Sequence, residues 1–266
     1  MDIHWDKTKV LLAEMTWQEC QAALRETDLI IIPVGAQEQH GPHLPLGTDS
    51  VHAAMAAEKA AKQCAVLVAP TVSVGVSANH LDFAGTMTLK PQTLIQVLFE
   101  YCQSLATHGF RRFVFFNGHG GNSATLDTAV QTLQQCFAGH IFCHVFAGRL
   151  KAKGHHCLED QFRYHADEGE TSRMLFKAPH LVQMDRVVDE IPVSRSGLYP
   201  FSPEQKATFD GYAGLPRTKE VTKSGVFGAP SLATREKGEV LEQSIHEGFC
   251  KVVTKIKDVN LETFEG

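Results

Sequence analysis

Apolar and polar positions along this chain follow two rhythms. Short, unbroken apolar runs rich in β-branched and aromatic residues recur at Leu29–Val34, 65–70, 111–116 and Ile141–Phe146. Bounded by turn formers, such runs predict buried strands. Between them lie stretches with helical character. Residues 49–63 are alanine-rich, and 91–108 place Leu94, Val97, Leu98, Tyr101, Cys102 and Leu105 on one face before Gly109. Ser123–Cys136 and 237–256 continue the pattern, and 171–176 resembles the start of a helix. Thr16 followed by Glu19 predicts a capping box that opens a short helix through Leu24. Residues 87–89 look strand-like, 147–168 irregular, and 189–224 aperiodic but studded with Tyr199, Phe201, Phe209 and Tyr212. Those aromatics favour a packed or subunit-contacting segment over disorder. Strands alternating with helices imply parallel crossovers, hence an α/β fold as a three-layer α/β/α sandwich with a mostly parallel sheet. With no repeat, low-complexity tract or convincing linker, residues 1–266 are expected to form one domain.

The loop after the first strand changes the picture from fold to chemistry. It carries Glu38, His40, His43 and Asp49 among Gly41, Pro42, Pro45 and Gly47. Glycine and proline specify such a backbone rather than leave it loose. Asp49 falls at the N-terminus of the alanine-rich helix, where a carboxylate is electrostatically favoured. Further ligand candidates are His119 in a second loop, and His165, Glu168 and Glu170 in a third. Open α/β sheets place sites beyond the C-terminal ends of their strands. Three such loops meeting at one sheet edge predict a shared metal site. Mixed imidazole and carboxylate ligands suit Zn²⁺, Mn²⁺ or Fe²⁺, and Asp49 is a natural bridge between two ions. His43 orients a ligand or bonds to loop backbone, and Glu168 is either a base or solvent-exposed. His155 and His156 read as surface residues.

Composition narrows the class of function. A net charge of −5 without a basic stripe gives no footprint for nucleic acid. No apolar run approaches the roughly 20 residues of a membrane span. The first residues lack a basic segment followed by an apolar one, so a cytoplasmic protein is expected. Seven cysteines, an odd number without a Cys-x-x-Cys pair, read as small core residues in a reducing compartment. The 14 histidines cluster around the special loops, which strengthens the metal reading.

The same loops carry a family resemblance. Glu38-Gln39-His40-Gly41-Pro42-His43-Leu44-Pro45-Leu46-Gly47-Thr48-Asp49 resembles the defining motif of the creatininase (creatinine amidohydrolase) family. Asn117-Gly118-His119-Gly120-Gly121-Asn122 is similar to its second motif, and His165-Ala166-Asp167-Glu168-Gly169-Glu170-Thr171-Ser172 to its third. The stretch from Gly225 to Thr234, with Glu236-Lys237-Gly238, matches a C-terminal signature. The resemblance implies a three-layer α/β/α fold, two divalent metal ions (zinc foremost, manganese or iron as alternatives) and a homohexamer. It implies that Glu38, Asp49 and His119 hold one ion, and His40, Asp49 and Glu170 the other. A bridging hydroxide would then attack the carbonyl carbon of a small-molecule amide, cyclic or linear. His165 becomes the candidate general acid for the leaving nitrogen, with a structural role as the alternative, and Glu170 stands with it in the catalytic set. His80, Gly120 and Asp167 fall on the substrate side.

Two departures bear on the substrate. Relatives acting on creatinine carry Tyr-Glu where this chain has Gly120-Gly121, and that glutamate ligates metal; here the ligand is expected from Glu170. Those relatives also enclose the flat ring with tryptophans near the positions matching 145–170. The two tryptophans here are Trp5 and Trp17, leaving Phe146, Phe162 or Tyr164 as substitutes. Asp167 stands where the third motif usually has glycine; pointing inward, it would favour a cationic substrate or proton transfer. Formamide deformylation and trimming of a peptide precursor are alternative reactions of the same centre. A metal-stabilised scaffold without catalysis is the alternative of another class.

Overall fold

The computed structural model describes residues 3–161, 163–192, 214 and 216–264. Phe162 and the aromatics Tyr199, Phe201, Phe209 and Tyr212 lie outside the described residues. The chain runs through α1 (Trp17–Leu24), β1 (Leu29–Val34), α2 (Thr48–Cys64), β2 (Leu67–Val68), α3 (Pro91–Ala106), β3 (Arg112–Asn117), α4 (Ser123–Cys136) and β4 (Ile141–Phe146). It continues through α5 (Ala147–Leu150), β5 (Arg163–His165), α6 (Glu168–Lys177), α7 (Thr218–Val221), β6 (Phe227–Gly228) and α8 (Arg235–Lys257).

Four strands form one parallel sheet in the order β2-β1-β3-β4. All six residues of β1 are buried, as are Phe113 to Asn117 of β3. A strand covered on both faces must be apolar throughout, which is why these runs show no alternation. Helices α3 and α4 pack on each other, with α4 against β4. Helix α2 lies against β1 and α8, and α8 also touches β3 and α6. Two helical layers thus enclose the sheet, the α/β/α architecture that the alternation implies. Phe116 and Phe249 join sheet to α8 with ring centroids 4.2 Å apart. Among the described residues no helix is long and apolar enough to cross a membrane.

The register positions the site. Val34 pairs with Asn117 and Asn117 with Phe146, so β1, β3 and β4 end flush. The strand order reverses between β1 and β3: the chain leaves β1 for β2 on one side and returns to β3 on the other. Ligand sites in open α/β sheets form at such a reversal. The first two motifs follow directly from β1 and β3.

Several local expectations need correction. The strand at 65–70 shrinks to Leu67–Val68, and residues 87–89 form no strand, only an isolated bridge between Met87 and Gln37. Their amides instead serve the irregular loops, Met87 donating to Gln37 and Leu89 to Gly75. The segment 147–168 is more ordered than its composition suggests, forming α5, a 3-10 turn at Lys151–Cys157 and β5. Strand β5 pairs antiparallel with β6 in a separate two-stranded sheet, so the third motif does not extend from the parallel sheet. Helix α6 starts at Glu168, three residues before Thr171, because the Asp167 carboxylate caps it by accepting the Glu170 N–H at 2.8 Å.

Candidate metal centre

The loops after β1 and β3 are held to each other by amides and glycines. Asn122 is fully buried; its Oδ1 accepts from the Val76 N–H at 2.9 Å and its Nδ2 donates to the Gly35 carbonyl at 2.9 Å. Asn117 Oδ1 accepts the His119 N–H at 3.0 Å. Gly121 has no room for a side chain, since a Cβ there would strike His119 Nε2 and the Val76 carbonyl. That close approach fixes His119 over the strand ends. On the third motif, Ala166 adopts a left-handed backbone conformation (φ 49°), and its N–H donates to Glu170 Oε2 at 2.8 Å. An alanine in that region costs about 1 kcal/mol or more, a strain characteristic of functional loops. The turn sends Glu170 toward β1.

These constraints bring five side chains together. Glu38, Asp49 and His119 offer ligand atoms within 4.8 Å of one another, as do His40, Asp49 and Glu170; Asp49 belongs to both groups. His119 Nδ1 lies 3.0 Å from Asp49 Oδ2, and His40 Nε2 3.4 Å from Asp49 Oδ1 and 3.8 Å from Glu170 Oε2. Glu38, His40 and Asp49 are at most 2% exposed. A third group joins Glu38 and His40 to His165.

Donor and acceptor chemistry tests the fit to a cation. His119 Nε2 donates to the Val76 carbonyl at 3.0 Å, so Nδ1 is the nitrogen that meets Asp49, across a proton or a cation. His40 Nδ1 donates to the Glu38 carbonyl at 3.1 Å, which leaves Nε2 as the nitrogen facing Asp49 and Glu170. Glu38 Oε1 and Oε2, His40 Nε2 and Asp49 Oδ2 are buried without a hydrogen-bond partner. Unpaired buried acceptors facing one another cost several kcal/mol unless a proton or cation lies between them. Outward N–H groups tied to carbonyls are the usual support for histidine ligands. The residues fit a bound metal cation.

The electrostatics agree. Burial disfavours the charged rings of His40 and His119, but Asp49, Glu38 and, for His40, Glu170 outweigh it and hold them at about 10 and about 9. Burial likewise raises the Asp49 carboxyl, yet His40 and His119 hold it well below the usual range. Glu38 is pushed up by burial, against the pull of His119.

The other candidates fall as follows. His165, 8% exposed, donates from Nε2 to the Gln39 carbonyl at 2.7 Å and points Nδ1 at Glu38 Oε1 from 3.5 Å. His80 is buried, its Nε2 3.9 Å from Glu38 Oε1. Burial, reinforced by His165 and His40, pushes His80 down to about 2, and burial with His40 keeps His165 well below the ordinary histidine value. Asp167 is buried, and its carboxylate caps the helix bearing Glu170. At Gly120 an added Cβ would have only Phe146 near it, at 3.7 Å, so the glycine leaves open space beside that ring.

Three side readings are corrected. Glu168 is not exposed: fully buried, it accepts from the Glu159 and Asp160 amides and from Lys237 Nζ at 2.5 Å. It anchors the segment before β5. His43 bonds from Nε2 to the Thr171 hydroxyl at 2.8 Å rather than to loop backbone, joining the first motif to α6. His155 is half-buried, while His156 is exposed. Sequence reasoning passed over Gln39, a buried amide between two ligand candidates that touches His80, His165 and Gly225. Its position inside Glu-Gln-His was the available signal.

The comparisons with known proteins point the same way. The creatininase family, described as creatinine amidohydrolase, matches residues 13–253. A mycofactocin precursor peptide peptidase of Mycolicibacterium smegmatis is 34% identical over 217 residues, covering 79% of this chain and 78% of its own. A creatinine amidohydrolase of Pseudomonas putida is 29% identical over 92% of this chain and 96% of its own. A 3-dehydro-scyllo-inosose hydrolase of Thermotoga maritima is 28% identical over 94% and 85%. Among solved structures, a manganese form of creatininase superposes with a TM-score of 0.77 at 25% identity, covering 94% of this chain and 99% of that one.

Proposed function

The chain belongs to the creatininase family, and from that premise we propose that it is a two-metal amidohydrolase that cleaves a C–N bond in a small amide. The observation that carries this reading is the set of buried, unpaired ligand atoms on Glu38, His40 and Asp49, flanked by His119 and Glu170. Glu38, Asp49 and His119 would hold one ion, and His40, Asp49 and Glu170 the other. Zinc is the favoured metal, with manganese or iron as alternatives; relatives include a manganese and a zinc form of creatininase. When bound, such ions polarise a carbonyl oxygen and make water more acidic.

The chain's own groups do the rest. His165 Nδ1, aimed at the cluster, moves a proton between the attacking water and the leaving nitrogen. His80 and the open space at Gly120 line the substrate side, and Asp167 acts by fixing the helix end that presents Glu170. Neither tryptophan lies at the site: Trp17 is 72% exposed on α1, and Trp5 donates to the Lys9 carbonyl near the N-terminus. A flat ring such as creatinine therefore has no indole clamp here. A linear amide, as in a peptide, is favoured by that openness and by the peptidase among the relatives. We propose a homohexamer as the assembly, which light scattering on metal-loaded protein tests.

The deciding experiment pairs elemental analysis of untagged protein with a hydrolysis screen of creatinine, hydantoins, formamidopyrimidines, short peptides and an inosose. About two metals per chain, with chelator-sensitive turnover of an amide, is the expected result. Turnover of the inosose alone would replace the amide reading. Metal without any turnover, together with chelator-induced unfolding, would favour a metal-stabilised scaffold.

A further inference from the structure

Gln39 is the one uncharged side chain in the chain's first motif that touches both histidines above Glu38, and its hydrogen bonds leave little freedom in assigning protons. Its Oε1 accepts the Gly41 N–H at 2.9 Å, which identifies Nε2 as the donor end of the amide. Three acceptors compete for its two hydrogens: the Gly225 carbonyl at 3.1 Å, His80 Nδ1 at 2.9 Å and His165 Nε2 at 3.0 Å. His165 Nε2 is also 2.7 Å from the Gln39 backbone carbonyl, which can only accept. That nitrogen must therefore carry a hydrogen and drops out as an acceptor. The two amide hydrogens go to Gly225 and to His80 Nδ1.

Both rings are then fixed. His80 accepts at Nδ1, so the proton of its neutral imidazole sits on Nε2, the atom facing Glu38 Oε1. Thr218 Oγ1, 3.3 Å from the same Nδ1, is a more distant neighbour than Gln39. His165 donates outward from Nε2 and turns Nδ1 toward Glu38 Oε1. The two rings stand 4.5 Å apart, and His165 is 4.3 Å from His40 on its other side.

We propose that Gln39 is a positioning residue that sorts the two histidines into opposite roles, His80 presenting an N–H and His165 a lone pair to the same cluster. The inference rests on the amide-hydrolysis reading for its catalytic meaning. There, a lone pair takes the proton of the attacking water, and a fixed N–H meets charge developing on the carbonyl oxygen. A carboxamide suits this task, because it supplies both a donor and an acceptor and stays uncharged between two imidazoles.

The test reads protons directly rather than turnover. In zinc-loaded protein carrying ¹⁵N-labelled histidine, long-range ¹⁵N–¹H correlations distinguish protonated from bare ring nitrogens. Loss of a signal set in His80→Gln or His165→Gln assigns the two rings. The expected result is Nε2 protonated and Nδ1 bare in both. A proton on Nδ1 of either ring, or a zinc-shifted Nδ1 in His165, would overturn the proposal in the wild-type protein alone. Gln39→Glu, which cannot donate to His80, should move the His80 proton to Nδ1 with two metals retained. On an amide that the wild type hydrolyses, it should lower kcat by at least about 10²-fold while KM changes little. An unchanged His80 signal in a folded, metal-loaded Gln39→Glu protein would also overturn it. Expected protonation without hydrolysis of any amide would instead count against the proposed function.

Discussion

Asp49 belongs to both ligand groups, so its loss should not resemble the loss of a ligand to one ion. Its Oδ2 faces His119 Nδ1 and its Oδ1 faces His40 Nε2. Asp49→Ala is expected to abolish binding of both metals, whereas His40→Ala should retain one; two metals in Asp49→Ala would sink the bridging assignment. Proton linkage gives a second prediction. In metal-free protein the rings of His40 and His119 lie at about 10 and about 9, above the ordinary 6.5. The sign follows from that order: their charged forms contribute stability fully below pH 6.5, and the contribution fades as pH rises through 9 to 10. Zinc must displace those protons, so binding at pH 7 should release close to two per chain. Calorimetry in buffers of different ionisation enthalpy measures the number; no release would mean that the rings are neutral before metal arrives. At this scale the grouping of Glu38, His40, Asp49, His119 and Glu170 was legible, because they sit in motifs with few other polar choices. Gln39 was not, since nothing in a sequence says which of three acceptors an amide reaches.

At the scale of elements, the joint between α6 and α8 decides how firmly Glu170 is presented. Glu242 of α8 accepts from Arg173 Nε at 2.6 Å and Lys177 Nζ at 2.8 Å, and all three side chains are at most 6% exposed. Burial raises the Glu242 carboxyl, but Arg173 and Lys177 outweigh it and hold it below 4.5. Its stabilisation is therefore present above about pH 4.5 and is lost as pH falls further. Removing one member leaves buried cations unpaired, so Glu242→Ala should cost roughly 3–5 kcal/mol in denaturant unfolding at pH 7. A loss under 1 kcal/mol would mean that water replaces the carboxylate. Asp167→Ala should cost about 1 kcal/mol through the lost cap and weaken metal binding through Glu170, leaving His119 in place. Neither device was readable beforehand. A helix start three residues early and a cluster of charges across two helices depend on tertiary neighbours that periodicity does not report. The long strands and alanine-rich α2 were readable, because their burial follows from their own composition. β2 was legible as a strand but not its two-residue length, and the β5–β6 pair, too short to impose a period, was not legible.

Across the whole molecule, the parallel sheet and the metal cluster are separable sources of order. The sheet's core of Ile30, Ile31, Phe113 and Phe115 is completely buried and involves no ligand atom. The cluster instead joins the loops after β1 and β3, the first turn of α2 and the first turn of α6, parts that meet at the strand ends without sharing that core. The α/β/α layering was legible from alternation alone, whereas the reversal of strand order that brings the first two motifs together was not. Metal should therefore act as a staple on a scaffold that folds without it. At free zinc a thousand times Kd, linkage adds about 4 kcal/mol, which for a chain of this size raises Tm by roughly 10 °C. Asp49→Ala should lose that rise, while Lys237→Met, which removes the pairs to Glu168 and Glu159 and the bond to the Leu232 carbonyl but touches no ligand candidate, should lower Tm and keep it. Hydrogen exchange locates the effect: chelation should speed exchange in residues 36–47 and 118–122 and leave β1 and β3 protected. If β1 and β3 exchanged as fast as the loops after chelation, the metal would be holding the fold together, and the sheet would not be the independent scaffold that its buried core implies.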